Sequence, residues 1–347
     1  MMPEEWPIAA PAAGHAPSRF AGPGRLSTVR RDFFLDPAKR LTEQERALMT
    51  AMLHCLVSDV AAAIRAALPN GRIAANDEGD AALIRTLTAS GLLDEPGLMA
   101  LLLRRADEER IGTAARARSG RREARVLQGL VSHDYGAVAA AAMALILGRG
   151  RRRDRFGQCL IAFDDLSPSS ADTLAHAVAA GLRKDLATSR GAAGADLELT
   201  DATDRVIEAR DEERGIDALN AALVHFLDEA GSLTDELILA AAHEGEISFI
   251  AEVIARRGGI STESAVVEFL SGETGHVMAL LRIAGTSREL AAGLLGGIGD
   301  LLGVADAGAA IAAFDRITGD EAEAARSWLL TASTYRGALD RLGQGRG

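Results

Sequence analysis

The sequence predicts an all-α fold, a stack of short helical hairpins, and three observations carry that expectation. Alanine supplies 68 of the 347 residues, aromatic residues supply only 13, and no stretch alternates apolar with polar residues at period two. Alanine is the best helix former, whereas aromatic residues favour strands, and a half-buried strand would show the alternation that is missing. Short helices that are apolar on one side cannot stand alone in water, so they must pack on one another. With 48% apolar and 25% charged residues the chain is mostly globular, and it is long enough for one large or two ordinary domains. No clean repeat period emerges, so the stack is read as an irregular α-solenoid.

The elements follow in order. Residues 1–40 hold six of the nine prolines and show no periodicity, which predicts a flexible, disordered N-terminal tail. Order begins at Thr42-Glu43-Gln44-Glu45, where the spacing is that of a capping box. Leu48, Met52, Leu56, Val60, Ile64 and Leu68 then recur every fourth position, one face of a helix that Pro69-Asn70-Gly71 ends. Further helices are expected near 79–90, 95–106, 107–117, 121–131, 134–148, 152–163 and 168–186, the last opened by Ser167-Pro168. Residues 41–187 thus form an N-terminal helical-hairpin region. Ser189 to Ala195 breaks the pattern, so 188–200 reads as a connection. A C-terminal helical region, 201–347, carries helices near 202–213, 215–229, 234–244, 246–257, 262–270, 273–284, 287–302, 305–316 and 319–340. Capping boxes at Thr286…Glu289 and Thr318…Glu321 mark two of these starts.

Bulk properties exclude several functions. Of 38 basic residues only Lys39 and Lys184 are lysines, and neither follows a glycine, which removes the phosphate-binding Gly-Lys-Ser/Thr loop. Cys55 and Cys159 are too few for a disulfide framework or a zinc site, and both lie in apolar contexts. The N-terminus carries acids where a secretory signal would carry bases. Tyr135 to Gly148, the longest weakly polar run, has about 14 residues against the roughly 20 that span a bilayer. A cytoplasmic protein without a membrane partner is expected. The net charge is −11, yet Arg104 to Arg155 holds 13 arginines against six acids, leaving −18 for the remainder. Such asymmetry marks either an anion-binding surface or arginines paired with acidic helices of the same chain, and the second reading is preferred.

Four stretches carry a family resemblance: Leu41-Thr42-Glu43-Gln44-Glu45-Arg46 with Leu56 to Leu68; Asp165-Leu166 with Val178 to Arg183; Leu237 to Glu246 with Phe249; and Ala279 to Gly285. Over Leu41 to Asp300 the chain resembles a family of helical proteins, common in alphaproteobacteria, that is catalogued as a domain of unknown function. The resemblance implies an all-α, HEAT-like architecture. It implies no activity and supplies no catalytic residues.

Candidate sites are weighed against plainer readings. Arg149, Arg151, Arg152, Arg153 and Arg155 form a basic turn, and Arg116, Arg118, Arg121, Arg122 and Arg125 a second basic stretch that stacking of successive hairpins would bring near it. Guanidinium groups grip phosphates in a planar fork, but few aromatics accompany them and the protein is acidic, so solvated turns are preferred. His133-Asp134 is the dipeptide of metal-dependent phosphohydrolases, with His54 and Asp164 or Asp165 as imaginable further ligands; it reads more simply as a helix start capped by Ser132 or Asp134. His243-Glu244-Gly245-Glu246 lacks the second histidine of a zinc-protease motif, and Gly245 reads as a turn. Gly297 to Gly303 mimics a dinucleotide fingerprint but follows a helical pattern, so close helix approach is preferred. No metal or cofactor is expected. The leading expectation is a non-enzymatic scaffold or adaptor binding another protein, or docking to itself as a homo-oligomer. A binder of nucleic acid or a phosphorylated small molecule through the Arg116–Arg155 face comes second, and a phosphohydrolase through His133 and Asp134 third.

Overall fold

The computed structural model describes residues 41–69, 77–120, 125–190 and 192–342. The expected tail, 1–40, and Arg121 and Arg122 lie outside the described residues. Two compact units are distinguished, Met1–Arg46 and Ala47–Gly347, and all that follows Arg46 belongs to the second.

Among the described residues there are sixteen α-helices and no strand. They are α1 (Glu43–Ala67), α2 (Asp77–Ala89), α3 (Pro96–Arg118), α4 (Val126–Leu130), α5 (Gly136–Arg151), α6 (Pro168–Arg190), α7 (Ala192–Glu208) and α8 (Ile216–Glu229). Then come α9 (Asp235–Glu244), α10 (Ile247–Gly258), α11 (Thr262–Phe269), α12 (Thr274–Ile283), α13 (Arg288–Leu294), α14 (Ala307–Arg316), α15 (Gly319–Leu329) and α16 (Ser333–Arg341). Local signals place most starts. The Thr42 box forms as expected, Glu45 N donating to Thr42 Oγ1 at 3.1 Å and Thr42 N to Glu45 Oε2 at 2.8 Å. The Thr318 box repeats it at 3.3 and 2.8 Å. Ser167 Oγ caps α6 by accepting from Ser170 N at 3.2 Å.

Five expectations are corrected. Residues 188–200, read as a connection, are helical to Arg190 and again from Ala192, because α6 and α7 pack along each other and small residues suit that approach. Residues 152–163 are not a helix: Asp154 Oδ1 accepts from both Phe156 N and Gln158 N at 2.8 Å, folding the chain into a tight loop. The α13 cap is Ser287, which accepts from Leu290 N at 3.0 Å, while Thr286 is buried and donates to Leu281 O. Tyr135, not Ser132 or Asp134, stands at the α5 N-cap. Tyr135 to Gly148 is also not the most membrane-like stretch. By length and composition α1 is long and apolar enough to cross a bilayer, though Met52, Leu56, Val60 and Ile64 on it are fully buried.

Helices pair as hairpins and the hairpins pack on one another: α5 on α8, α10 on α8 and α11, α12 on α14 and α15, and α9 on α3, α10 and α13. One core runs from Ile111 to Leu329, with Phe249, Phe269 and Phe314 among its largest buried side chains. Gly245 permits a close approach of two backbones. The residue ends α9 in the left-handed conformation (φ +70°), and a Cβ there would lie 2.7 Å from Gly112 Cα on α3. The expected glycine contact at 297 is also present, its would-be Cβ 3.6 Å from Ala242 Cβ on α9.

Candidate functional site

The helical packing brings the two basic stretches together and supplies acids to meet them. Arg118 is bidentate to Asp300 at 2.7 and 2.5 Å on the surface. Arg149, on the last turn of α5, donates to Glu246 Oε2 at 2.6 Å. Arg153 is bidentate to Glu109 of α3 at 2.8 and 2.7 Å. Arg152 is buried, its Nε and Nη2 donating to Asp165 at 2.8 and 2.9 Å and its remaining donors to the carbonyls of Gly148 and Arg214. Arg151 and Arg155 are exposed, Arg155 lying 4.7 Å over the Phe156 ring. Neither joins an ion pair among the described residues. Nor does Arg116, whose hydrogen bond to Thr113 Oγ1 is long at 3.4 Å.

Arg116, Arg149, Arg152 and Arg153 line one cavity of about 110 Å³, with Arg105 in its wall. Glu108, Glu109, Asp165 and Glu246 line it too, so five guanidinium groups face four carboxylates. Arg105 donates to Glu108 at 2.7 Å and to Asp217 at 2.8 Å, and Asp217 also accepts from Arg104. Burial alone would depress the Arg105 pKa, but Glu108 and Asp217 hold it well above the ordinary range. Burial would raise Asp217, and Arg105 and Arg104 overcome it, holding the carboxyl at about 2. The Cys159 thiol on the cavity wall is pushed up to about 11, by burial first and by Glu109 second. A thiol in that state is a small hydrophobe, not a nucleophile.

The histidine candidates resolve into structural roles. His133 Nδ1 accepts from Tyr135 N at 3.0 Å, so Nε2 carries the proton and donates to Ser232 Oγ at 3.0 Å. In that tautomer His133 cannot take the serine proton, and the pair is no nucleophile–base couple. Among the described residues no three His, Cys, Asp or Glu side chains are gathered to hold a metal, so His54 and Asp164 or Asp165 do not complete a site around His133. In His243-Glu244-Gly245-Glu246 both acids are structural. Glu244 is fully buried and accepts from Arg125 N and Val126 N at 2.8 and 2.9 Å, capping α4, while Glu246 holds Arg149.

Two larger grooves, about 610 Å³ each, lie on either flank of α11 and share Glu263 and Val267. The first has Ala100, Leu101 and Leu103 of α3 facing Val266, Val267 and Leu270, with Asp107, Asp164, Glu212, Asp217 and Glu263 around it and Arg104 as its basic member. The second is floored by Met278, Ile283, Ile317 and Trp328, with Glu263, Glu268 and Glu321 at its edges and Arg336 and His276 beside Glu268. Leu103 is 41% and Val267 59% exposed, both large for apolar side chains. Neither groove was foreseen from sequence: α3 and α11 are some 150 residues apart, and nothing local distinguishes an exposed Val267 from an inward one.

A family model described as "Uncharacterised protein conserved in bacteria (DUF2336)" matches residues 87–327. The chain belongs to that family. The DUF2336 match begins after the Leu41–Leu68 stretch and runs past Asp300, so the boundaries of the resemblance shift C-terminally. Every residue of the arginine cavity lies inside the DUF2336 match, whereas Trp328 and Arg336 of the second groove lie beyond it. No curated protein and no solved structure matches the chain.

Proposed function

We propose that this DUF2336 protein is a non-enzymatic cytoplasmic adaptor that receives a basic amphipathic helix of another protein in the grooves along α11. The observation that carries the reading is the pair of apolar grooves meeting at Val267 with acids on both rims. An apolar floor favours the buried stripe of a helix, spaced three or four residues apart, and the rim favours lysine or arginine on its flanks. Of the five acids that line the first groove besides the buried, Arg152-bound Asp165, Asp217 is paired with Arg104 and Arg105, Asp107 with Arg110 and Glu212 with Arg210, which leaves Asp164 and Glu263 to favour a basic flank. His133, which accepts from Tyr135 N through Nδ1, is no base toward Ser232, and this supports the non-enzymatic reading.

A photo-crosslinking residue placed at Val267, with exposed Leu197 on α7 as control, tests this in native cells. Crosslinks from 267 should map to an Arg- or Lys-rich amphipathic segment of another protein, be absent from 197, and disappear when Leu103→Asp is added. Crosslinks that map to a second copy of this chain, to acidic segments, or equally from both positions refute the reading.

A further inference from the structure

We propose that the cavity between α3, α5 and the start of α10 is a receptor for one phosphate-sized oxyanion, the phosphoryl group of a small molecule or free phosphate. The inference is independent of the groove along α11, because it rests on what the ion pairs leave over. Four of the five lining arginines are committed: Arg105 to Glu108 and Asp217, Arg149 to Glu246, Arg152 to Asp165 and Arg153 to Glu109. Arg116 is the surplus cation. It makes no ion pair, and its guanidinium folds back over Gly112 to the cavity wall.

A second group in the same wall is also unspent. Ser248 is only 8% exposed, lines the cavity, and its hydroxyl makes no hydrogen bond among the described residues. The hydroxyl oxygen is not sealed from solvent, so it stands open to the cavity. Ser248 sits in the first turn of α10, a 12-residue helix whose N-cap, Glu246, makes no side-chain capping bond, its carboxylate being turned to Arg149. Uncapped N–H groups and the positive end of the helix dipole therefore stand beside a free hydroxyl and a free guanidinium. Against these donors stands one buried carboxylate oxygen of the lining, Glu108 Oε1, which accepts no hydrogen bond and lies 3.7 Å from Arg104 Nε. A cavity of about 110 Å³ exceeds what one ordered water needs and holds a single tetrahedral group, but not a nucleoside. The half-exposed Arg149 and Arg153 at its mouth admit the group while keeping its own acids neutralised. Arginine's planar fork suits two phosphoryl oxygens at once.

The test is calorimetric titration of the full chain at fixed ionic strength with inorganic phosphate and, separately, with glycerol 3-phosphate. One saturable site per chain is expected. Binding of both anions assigns the phosphoryl group of a small molecule, and binding of phosphate alone assigns the free ion. Arg116→Gln should weaken binding about tenfold or more, the loss of one charged hydrogen-bonding partner. Ser248→Ala should also weaken it, and Arg151→Gln, exposed and outside the cavity, should leave it unchanged. Absence of saturable binding with either anion overturns the proposal. So does an equal loss in Arg151→Gln and Arg116→Gln, which would mean diffuse surface charge. Arg116 supports no ion pair, so its replacement leaves the fold intact; should it not, Ser248→Ala against Arg151→Gln decides the matter alone.

Discussion

Asp165→Asn should destabilise the protein by about 3–5 kcal/mol, the cost of leaving a buried guanidinium without its counter-charge. The Asp165 side chain is 1% exposed and that of Arg152 10%. Oδ1 accepts from Arg152 Nη2 and from Ile216 N, both at 2.9 Å; Oδ2 accepts from Arg152 Nε and from Ala162 N, both at 2.8 Å. Each oxygen thus serves at least one guanidinium donor and one backbone donor, Oδ1 also accepting from Arg152 Nε at 3.1 Å. Whichever way an asparagine amide turns, its NH2 confronts a guanidinium N–H and a backbone N–H at once, so no rotamer rescues the substitution. Arg152→Met removes the cation but leaves the carboxylate its two backbone donors, and should cost less. In Arg152→Met/Asp165→Asn the uncompensated charge is gone, so the double variant should lose about 1–3 kcal/mol less than the two singles combined. Urea unfolding of the four proteins at neutral pH measures this. A loss below about 1 kcal/mol in Asp165→Asn, or additivity within about 0.5 kcal/mol, would show that the pair is not closed off from water and would refute the reasoning. The same geometry means that Arg152 is no ligand contact: substituting it tests folding.

Three further outcomes follow from the same contacts. Asp217 is held at about 2 in the folded protein against about 3.9 when unfolded, so it stabilises fully above about pH 4 and that contribution fades as pH falls towards 2. Asp217→Asn should therefore be less stable than the parent at pH 6, with the gap closing as both are unfolded by urea at successively lower pH; a gap independent of pH contradicts the assignment. Gly245→Ala should cost more than about 1 kcal/mol in urea unfolding, since alanine disfavours φ +70° and its Cβ would press 2.7 Å from Gly112 Cα. With the Cys159 thiol at about 11, roughly one molecule in a thousand is thiolate at pH 8, so a thiol reagent should label it slowly in the folded protein and fast in urea; equal rates count against the burial of that thiol.

What was legible in the sequence was what is decided within a few residues. Thr42, Ser167 and Thr318 start helices because a hydroxyl three residues before a free N–H satisfies it locally. The 152–163 loop was misread for a related reason: Arg152 to Arg155 looks like any charged helical turn until Asp154 bonds two backbone amides ahead of it. Packing erased another local signal, since α6 and α7 pack along each other although the 188–200 segment reads as a break. Long-range pairing was not legible at all. Arg118 meets Asp300 across 182 residues and Arg149 meets Glu246 across 97, separations at which no sequence spacing points to a partner.

Those separations also decide what the charge asymmetry means. A segment of +7 inside a remainder of −18 would suit a surface awaiting an anion, and the same numbers suit a segment whose cations tie distant acidic helices together. The pairs favour the second for most of the segment: Arg104, Arg105, Arg118, Arg149, Arg152 and Arg153 each hold an acid, and several of those acids cap or anchor a neighbouring helix as well. Among the described arginines predicted to contact an anion, three are left over, Arg116, Arg151 and Arg155. Arg151 and Arg155 point to solvent, where an isolated cation binds anions too weakly to matter. Of these, Arg116 stands in a concavity with the unpartnered hydroxyl of Ser248 and a helix N-terminus beside it. A recognition site needs convergence of donors rather than an excess of charge, and by that criterion Arg116 is the described arginine of the segment placed to recognise something outside the chain.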